Sequence, residues 1–183
     1  MACSPTNLSA YTRGCKNVGG VKQFWYWLKS QRITQEIEIV NTAGVATIVA
    51  GSGKVDAYQI TPEQDNWNIT QPISDNNTQG TSFITQNLQG NLMGYSPAIA
   101  ALMDDLRKAR YEALVELENG ELVFLGLSSR GLQTEGGDAG FSGTTLADSL
   151  GVNIILTSQS RESAPVLATF AEFLVDFDVT EAA

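Results

Sequence analysis

Four carboxylates in the middle of the chain are the side chains best suited by type to acid–base chemistry. They are Asp104, Asp105, Glu112 and Glu116. Hydrolysis of a glycoside needs two such groups across a cleft, one of them with a raised pKa. Glu112 and Glu116 instead flank Leu114 at every second residue, which is the spacing of one strand face. The sequence gives no sign of a cleft, so we predict no catalytic residue, and a hydrolase using these carboxylates remains a rival hypothesis.

Two glycine-rich segments are candidates for phosphate-binding loops, and neither has the required pattern. A phosphate loop needs a glycine five residues before the glycine of its Gly-Lys pair and Ser or Thr after the lysine. The segment Gly51-Ser52-Gly53-Lys54 has Ile48 and Val55 at those positions. We predict a turn between two strands there. The segment 136–143 lacks the flanking strand and helix of a dinucleotide site, so we predict a loop.

The chain contains no histidine, which excludes Ser-His-Asp and Cys-His catalysis as well as His-ligated metals. Its two cysteines, Cys3 and Cys15, are too few and too far apart for a zinc-site pattern. They either pair with each other or are both reduced and buried. We therefore expect no metal, no cofactor and no enzymatic activity, and we predict a structural protein built for interactions.

The stretch from Ser96 to Gly126 must position the central carboxylates. Ser96 can cap a helix whose first position is Pro97. Apolar residues then recur at helical spacing on one face, which belongs against a sheet: Ile99, Leu102, Met103 and Leu106. From Tyr111 the period of the apolar residues changes to two, so the sequence predicts that the helix is followed by a strand.

The dipeptide Asn119-Gly120 predicts a β-hairpin with a type I′ turn, because these residues tolerate the positive φ that both central positions need. Counting outward from that turn predicts four cross-strand pairs: Glu118 with Glu121, Leu117 with Leu122, Glu116 with Val123, and Val115 with Phe124. One face of the hairpin is then apolar, and the other carries glutamates. This acidic face is either an ordinary solvated face or a surface past which something must slide.

Composition indicates one soluble domain spanning residues 1–183, long enough to bury a core without disulfides or metals. No apolar run has the length of a membrane span, and the opening residues lack the layout of a secretory signal. We therefore expect Met1 to be the start of a protein made inside the cell.

The net charge of −9 is unevenly distributed. The N-terminal segment has no acid before Glu36, and no base follows Arg161. If the two ends lie at opposite poles, copies can associate head to tail through complementary charge. The alternative is that neighbouring termini pair within one molecule.

Aromatic residues dominate a predicted strand at Val21–Leu28, which we expect to be buried on both faces or to lie at an interface. Exposed Trp25, Trp27 or Trp67 would instead suit a surface that binds glycans. Stacking on nucleic-acid bases is disfavoured, since the chain as a whole is acidic.

Further strands are predicted from alternating or apolar runs: 33–40, 45–50, 55–61 and 151–157. The segment 164–175 predicts a closing strand or a short helix, and we favour strand just after Pro165. Residues 1–20 are expected to be an extended N-terminal segment. Residues 63–94 and 128–148 are expected to be mobile loops. The first of them is predicted to contain irregular strands joined by polar loops, and its Trp67 and Leu88 favour packing.

Several of these features follow one another in a distinctive order along most of the chain. The segment Cys15–Lys22 precedes an aromatic strand, a helix leads into the hairpin 111–126, and a glycine-rich loop precedes the late strand 151–157. This layout resembles that of the tail-tube and related virion proteins of tailed bacteriophages. The resemblance implies a mainly β (α+β) fold, a β-sandwich or barrel flanked by one principal α-helix.

The resemblance also implies a virion structural subunit that assembles into hexameric rings, which stack head to tail into a tube for DNA delivery. Its partners would be copies of itself and other virion tail proteins, with DNA passing transiently, no membrane, no catalytic residue and no cofactor. An acidic inner wall would let DNA pass without sticking. The expected location is the virion tail, after synthesis in the host cytoplasm.

Within that family, loop 63–94 or loop 128–148 would bridge neighbouring rings. The alternatives are another tail or neck ring component, such as a terminator, collar or baseplate ring, and a surface glycan-binding β-sandwich.

Overall fold

Two β-sheets and three helices account for most of the computed structural model, which describes residues 20–61, 67–76, 81–93, 97–128, 130–136, 139–140 and 151–181. The strands are β1 (Val21–Leu28), β2 (Glu38–Thr42), β3 (Val45–Val49), β4 (Val55–Ile60), β5 (Trp67–Thr70), β6 (Ile73–Asn76), β7 (Thr81–Met93), β8 (Tyr111–Leu117), β9 (Leu122–Leu125), β10 (Gln133–Gly136), β11 (Ala139–Gly140), β12 (Gly151–Ser160), β13 (Val166–Leu167) and β14 (Phe177–Glu181). The helices are α1 (Lys29–Thr34), α2 (Pro97–Lys108) and α3 (Phe170–Asp176). The predicted mainly β class is confirmed.

The large sheet has eight strands in the order β14-β4-β1-β8-β9-β13-β3-β2. The small sheet has the order β10-β12-β7-β5, with β11 paired to β12 and β6 paired to β7. Strand β1 lies inside the large sheet between β4 and β8, which explains its aromatic composition. Burial on both of its faces is confirmed, because Phe24 and Trp25 point to opposite sides and are each almost fully buried.

The first core lies between the two sheets. It joins Phe24 of β1 and Val115 of β8 to Trp67 and Leu88 of the small sheet. Helix α2 closes this core through its apolar stripe, since Leu106 is buried and the other three predicted stripe residues pack against the cluster. The predicted helix and its inward face are confirmed, while the predicted cap Ser96 lies outside the described residues.

The second core lies on the other face of the large sheet, under α3. Trp25 packs on Phe170 with ring centroids 4.4 Å apart, and Phe173 stacks on Phe177 at 4.2 Å. Each of the eight strands of the large sheet contributes a residue to this cluster or packs against it. The large sheet therefore curves around the second core.

The β8–β9 hairpin forms as predicted, but its register is shifted by one residue. Val115 pairs with Val123 and Glu116 with Leu122. Gly120 has a φ of 83° and its N–H donates to Leu117 O at 2.8 Å, while Asn119 has no positive φ. The loop therefore has three residues, a turn followed by a left-handed glycine, and the two-residue type I′ turn that we predicted is wrong.

Three other segments differ from the sequence-based expectations. Residues 29–34 form helix α1, so the strand predicted from residue 33 begins only at Glu38. The segment 63–94, predicted as irregular strands joined by mobile polar loops, contains three regular strands, and β7 is the longest strand among the described residues. After Pro165 a two-residue strand is followed by helix α3, so both readings of 164–175 hold in part.

The basic N-terminal and acidic C-terminal segments do not lie at opposite poles where the structure describes them. Strand β14 pairs with β4, which in turn pairs with β1. Lys54 of β4's preceding turn contacts Asp178 of β14 at 2.8 Å. Of the two arrangements considered, the described residues therefore favour neighbouring end segments within one molecule over charge at opposite poles. Within the described ranges, no helix has the length and apolar character needed to cross a membrane.

Candidate functional site

Glu112 lies at the centre of a buried ion cluster. Its residue is 0% exposed, although the sequence placed it on a solvated or lumenal face. Its Oε2 accepts hydrogen bonds from Trp27 Nε1 at 3.0 Å and from Arg32 Nε at 2.5 Å. Its Oε1 accepts from Arg32 Nη2 at 2.9 Å and lies 3.1 Å from Lys29 Nζ. Both carboxylate oxygens are therefore held by cationic donors.

The two cations of this cluster come from helix α1, which follows β1 directly. Their side chains are nearly buried, with exposed fractions of 11% for Lys29 and 13% for Arg32. Arg32 Nη1 also donates to Ile37 O at 2.6 Å, and Lys29 Nζ donates to Ser128 O. The cluster thus connects α1 to β8 and to the segment after β9, which is a structural role.

Glu116 lies on the same strand face and has its own partners. Lys22 Nζ donates to its Oε1 at 2.6 Å, and Gln23 donates to its Oε2. Burial alone would raise the pKa of the Glu116 carboxyl, but the hydrogen bonds from Lys22 and Gln23 outweigh it and lower the pKa. The hydrogen bond to Glu116 likewise raises the pKa of Lys22.

We expect Glu116 to contribute stability that depends on pH. Because its folded pKa is below the ordinary value of 4.5, the contribution is present above that value and is lost as pH falls through the lower folded pKa. The free energies of unfolding of the wild type and Glu116→Gln, measured in urea from neutral to acidic pH, should differ most near neutrality and converge in acid. A difference that stays constant with pH would contradict this expectation.

The four central carboxylates do not face one another across a cleft. Glu112 and Glu116 are four residues apart on one strand face, a separation of about 13 Å, whereas paired glycosidase carboxylates are closer. Asp104 and Asp105 are exposed on α2, and Asp105 pairs with Lys108 at 3.3 Å. In the described ranges, no cluster of three or more acidic, cysteine or histidine side chains could hold a metal ion.

The three tryptophans considered as glycan-stacking platforms are all buried. Trp25, Trp27 and Trp67 have exposed fractions of 2%, 0% and 2%. Trp67 packs on Phe24 with ring centroids 4.7 Å apart and donates through Nε1 to Asn91 O. The premise of the glycan-binding alternative is therefore wrong, because none of these rings offers a free face to a sugar.

The turn containing Gly51 and Gly53 joins β3 to β4, as predicted, and holds no helix of a phosphate loop. Its Ser52 N–H donates to Gln35 O at 2.8 Å. A Cβ at position 51 would lie 2.0 Å from that same oxygen, so the glycine permits close contact between the turn and residue 35. Lys54 contacts Asp178 instead of offering its charge to a phosphate.

An exposed apolar surface covers the outward face of β2, β3 and β13. We call it the valine face: Val40, Val45, Val49 and Val166, with exposed fractions of 37%, 52%, 48% and 37%. Val166 is the cross-strand partner of Val45, so these side chains share one side of the sheet. Strand β2 is also the last strand of the large sheet, and its outer edge has no partner among the described residues. Alternation along the sequence predicted strands in this region but does not show which of their faces is covered.

A polar cleft lies between the two sheets where β2 approaches the ends of β7 and β12. We call it the arginine cleft, and its volume is about 680 Å³. Its walls include Ile39, Phe83, Arg130, Gln159, Arg161 and Glu162. Sequence reasoning missed this cleft, since its walls come from four segments that are far apart along the chain.

The fold and these surfaces define a mainly β protein with two sheets, a buried ion cluster and an exposed sheet edge. Comparisons of the chain with protein-family models, with curated proteins and with solved structures found no match.

Proposed function

We propose that this protein is a virion structural subunit, a tail-tube subunit of a tailed bacteriophage that assembles into stacked hexameric rings. The observation that carries the proposal is the valine face beside the edge of β2, which has no strand partner in the described part of the chain. An exposed apolar sheet face next to an open edge marks a surface that is covered by another chain. The order of elements that resembles tail-tube proteins favours a second copy as that chain.

The two edge strands of the large sheet support assembly of identical subunits through one repeated contact. Strand β14 forms one end of the sheet and β2 the other, so one subunit presents two different edges. A contact between two different surfaces is heterologous, and it generates closed rings or open filaments. The net charge of −9 is compatible with a conduit for DNA, because like charge disfavours binding of phosphate. The virion tail is the corresponding location.

Negative-stain imaging of the concentrated full chain tests this function. We expect rings and tubes in the images and a matching large species in sedimentation velocity. Single closed rings that never stack would favour the second candidate, a terminator, collar or baseplate ring. A strictly monomeric species at high concentration would contradict both candidates.

Charge placed on the valine face should prevent this assembly. We expect Val45→Lys/Val49→Lys to remain folded by circular dichroism and to stay monomeric, because two charges cannot be buried unpaired at an interface. The matched control is Leu174→Lys/Val175→Lys on α3, where the exposed fractions are 46% and 62%. Loss of rings in the control but not in the valine-face variant would place the interface elsewhere.

A further inference from the structure

The arginine cleft carries positive charge that the described part of the chain does not neutralise by ion pairing. Arg130 Nη1 donates to Gln159 Oε1 at 2.9 Å, and neither Arg130 nor Arg161 forms an ion pair with a carboxylate in the described ranges. Glu162 also lines the cleft and accepts a hydrogen bond from the neutral amide of Asn41 through Oε2 at 2.7 Å, so the two arginines and this carboxylate leave one positive charge in excess. In a chain with 20 acidic and 11 basic residues, such a cleft is suited to an anionic group.

The cleft is also shaped to enclose part of a partner. Its volume lies within the range of about 300 to 1,000 Å³ typical of binding sites. Phe83, which is 36% exposed, and half-buried Ile39 give it an apolar wall beside the arginines. A protruding loop with carboxylates at its end could pair with the arginines and pack its remaining atoms against the apolar wall.

The tip of the β8–β9 hairpin has that chemistry. Residues 118–121 are all exposed, and they include the two carboxylates Glu118 and Glu121. Neither glutamate forms an ion pair among the described residues, although Glu118 lies close enough to Lys22 to raise the pKa of that lysine. Two carboxylates on the tip match two arginines in the cleft.

The tip and the cleft lie at opposite ends of strand β9. The tip immediately precedes Leu122, whereas Leu127 and Ser128, which follow β9, line the cleft. At about 3.3 Å per residue, β9 itself spans roughly 13 Å, and Glu121 and Leu127 are separated by at most about 20 Å along the chain. One molecule therefore cannot insert its own tip into its own cleft, and the contact requires a second copy.

We infer that the arginine cleft binds the Glu118–Glu121 hairpin tip of a second copy of this chain. The contact is heterologous, so each copy uses its tip on one neighbour and its cleft on another. The inference rests on the proposed function, since it assigns one of the contacts between subunits that assembly requires. Complementary charge at such a contact selects the correct register and accelerates encounter.

Variants that reverse the charges of the tip or of the cleft test this contact. Their self-association is measured by sedimentation velocity over a concentration series. We expect Arg130→Glu/Arg161→Glu and Glu118→Lys/Glu121→Lys each to raise the self-association dissociation constant on the order of tenfold or more. The four-fold variant that combines both exchanges should recover association. The matched control is Asp104→Lys/Arg107→Glu on the exposed side of α2, which should associate like the wild type.

The outcomes separate this inference from the proposed function. Tubes that persist unchanged in both double variants, or a four-fold variant no better than the doubles, would overturn the tip–cleft contact and leave the proposed function standing. Salt-sensitive association that responds to the exchanges without ever giving rings would support the contact and overturn the proposed function. A wild type that never self-associates would overturn both.

Inorganic phosphate serves as a probe for the other occupant of the cleft, a small anion. The second copy would be overturned as the occupant by two results together. Phosphate would bind only when Arg130 and Arg161 are present, and Glu118→Lys/Glu121→Lys would leave self-association unchanged. Phosphate that competes with self-association would support it.

Discussion

Glu112→Ala should be among the most destabilising single substitutions in the described part of this protein. It would leave Lys29 and Arg32 nearly buried with no carboxylate, and removal of one partner from a buried ion pair costs about 3–5 kcal/mol. It also removes the acceptor of the Trp27 indole N–H. Because domains of ordinary stability unfold with about 5–15 kcal/mol, we expect a large fall in the urea midpoint.

Glu116→Ala is the matched control for this prediction. Glu116 occupies the same strand face, but its partner Lys22 is 54% exposed, and ion pairs open to solvent contribute little to stability. Equal losses of unfolding free energy in Glu112→Ala and Glu116→Ala would contradict the prediction that the buried ion cluster dominates stability. The variant Lys29→Met/Arg32→Met/Glu112→Leu should recover much of the stability lost by Glu112→Ala, because apolar replacement of a whole buried ion cluster is often tolerated.

We expect Gly126→Ala to have the second-largest effect on stability, because it combines backbone strain with steric crowding. Gly126 has a φ of 77°, so any side chain there is strained. An added Cβ would also lie 2.8 Å from Leu132 Cγ and 2.9 Å from Leu132 N, where the chain is buried. Strain and overpacking together should lower the free energy of unfolding by about 3 kcal/mol or more.

Gly120→Ala isolates the backbone part of that cost. Gly120 has a similar φ of 83°, but nothing lies within 4 Å of an added Cβ. We expect a loss of about 1 kcal/mol from strain alone. Urea unfolding of the two variants side by side measures the difference, and equal losses would show that crowding against Leu132 contributes nothing. The Gly126 N–H also donates to buried Gln86 Oε1 at 3.0 Å, which connects the large sheet to β7.

Local periodicity predicted the elements that depend mainly on their own residues. The apolar stripe of α2 follows the 3.6-residue period, and the aromatic run of β1 is buried on both faces. Asn119-Gly120 predicted a hairpin but not its register, because the same dipeptide fits a two-residue turn and a three-residue turn that ends in a left-handed glycine. A difference of one residue in the loop shifts every pair.

Features that depend on distant residues could not be predicted in this way. The cationic partners of Glu112 lie on α1, and Arg32 is 80 residues away in sequence, so alternation suggested a solvated face. Helix α1 has only six residues, too few to establish a helical period. The polar composition of β7 prevented its prediction as one long strand. Its buried residues Gln86 and Leu88 nevertheless alternate with less buried ones, as a strand with one buried face requires. The valine face and the arginine cleft arise only from the packing of separate segments.

The pairing of β14 with β4 has a consequence for how fast this chain reaches its native state. Phe177 pairs with Val55, about 120 residues earlier, and forming such a pair requires closure of a very long loop. Strands β1 and β8 are also widely separated, with Trp25 opposite Leu114. High contact order of this kind is typical of domains that fold in milliseconds to seconds. The β8–β9 hairpin can form within microseconds. The outer strands of the large sheet therefore pair long after this central hairpin has formed.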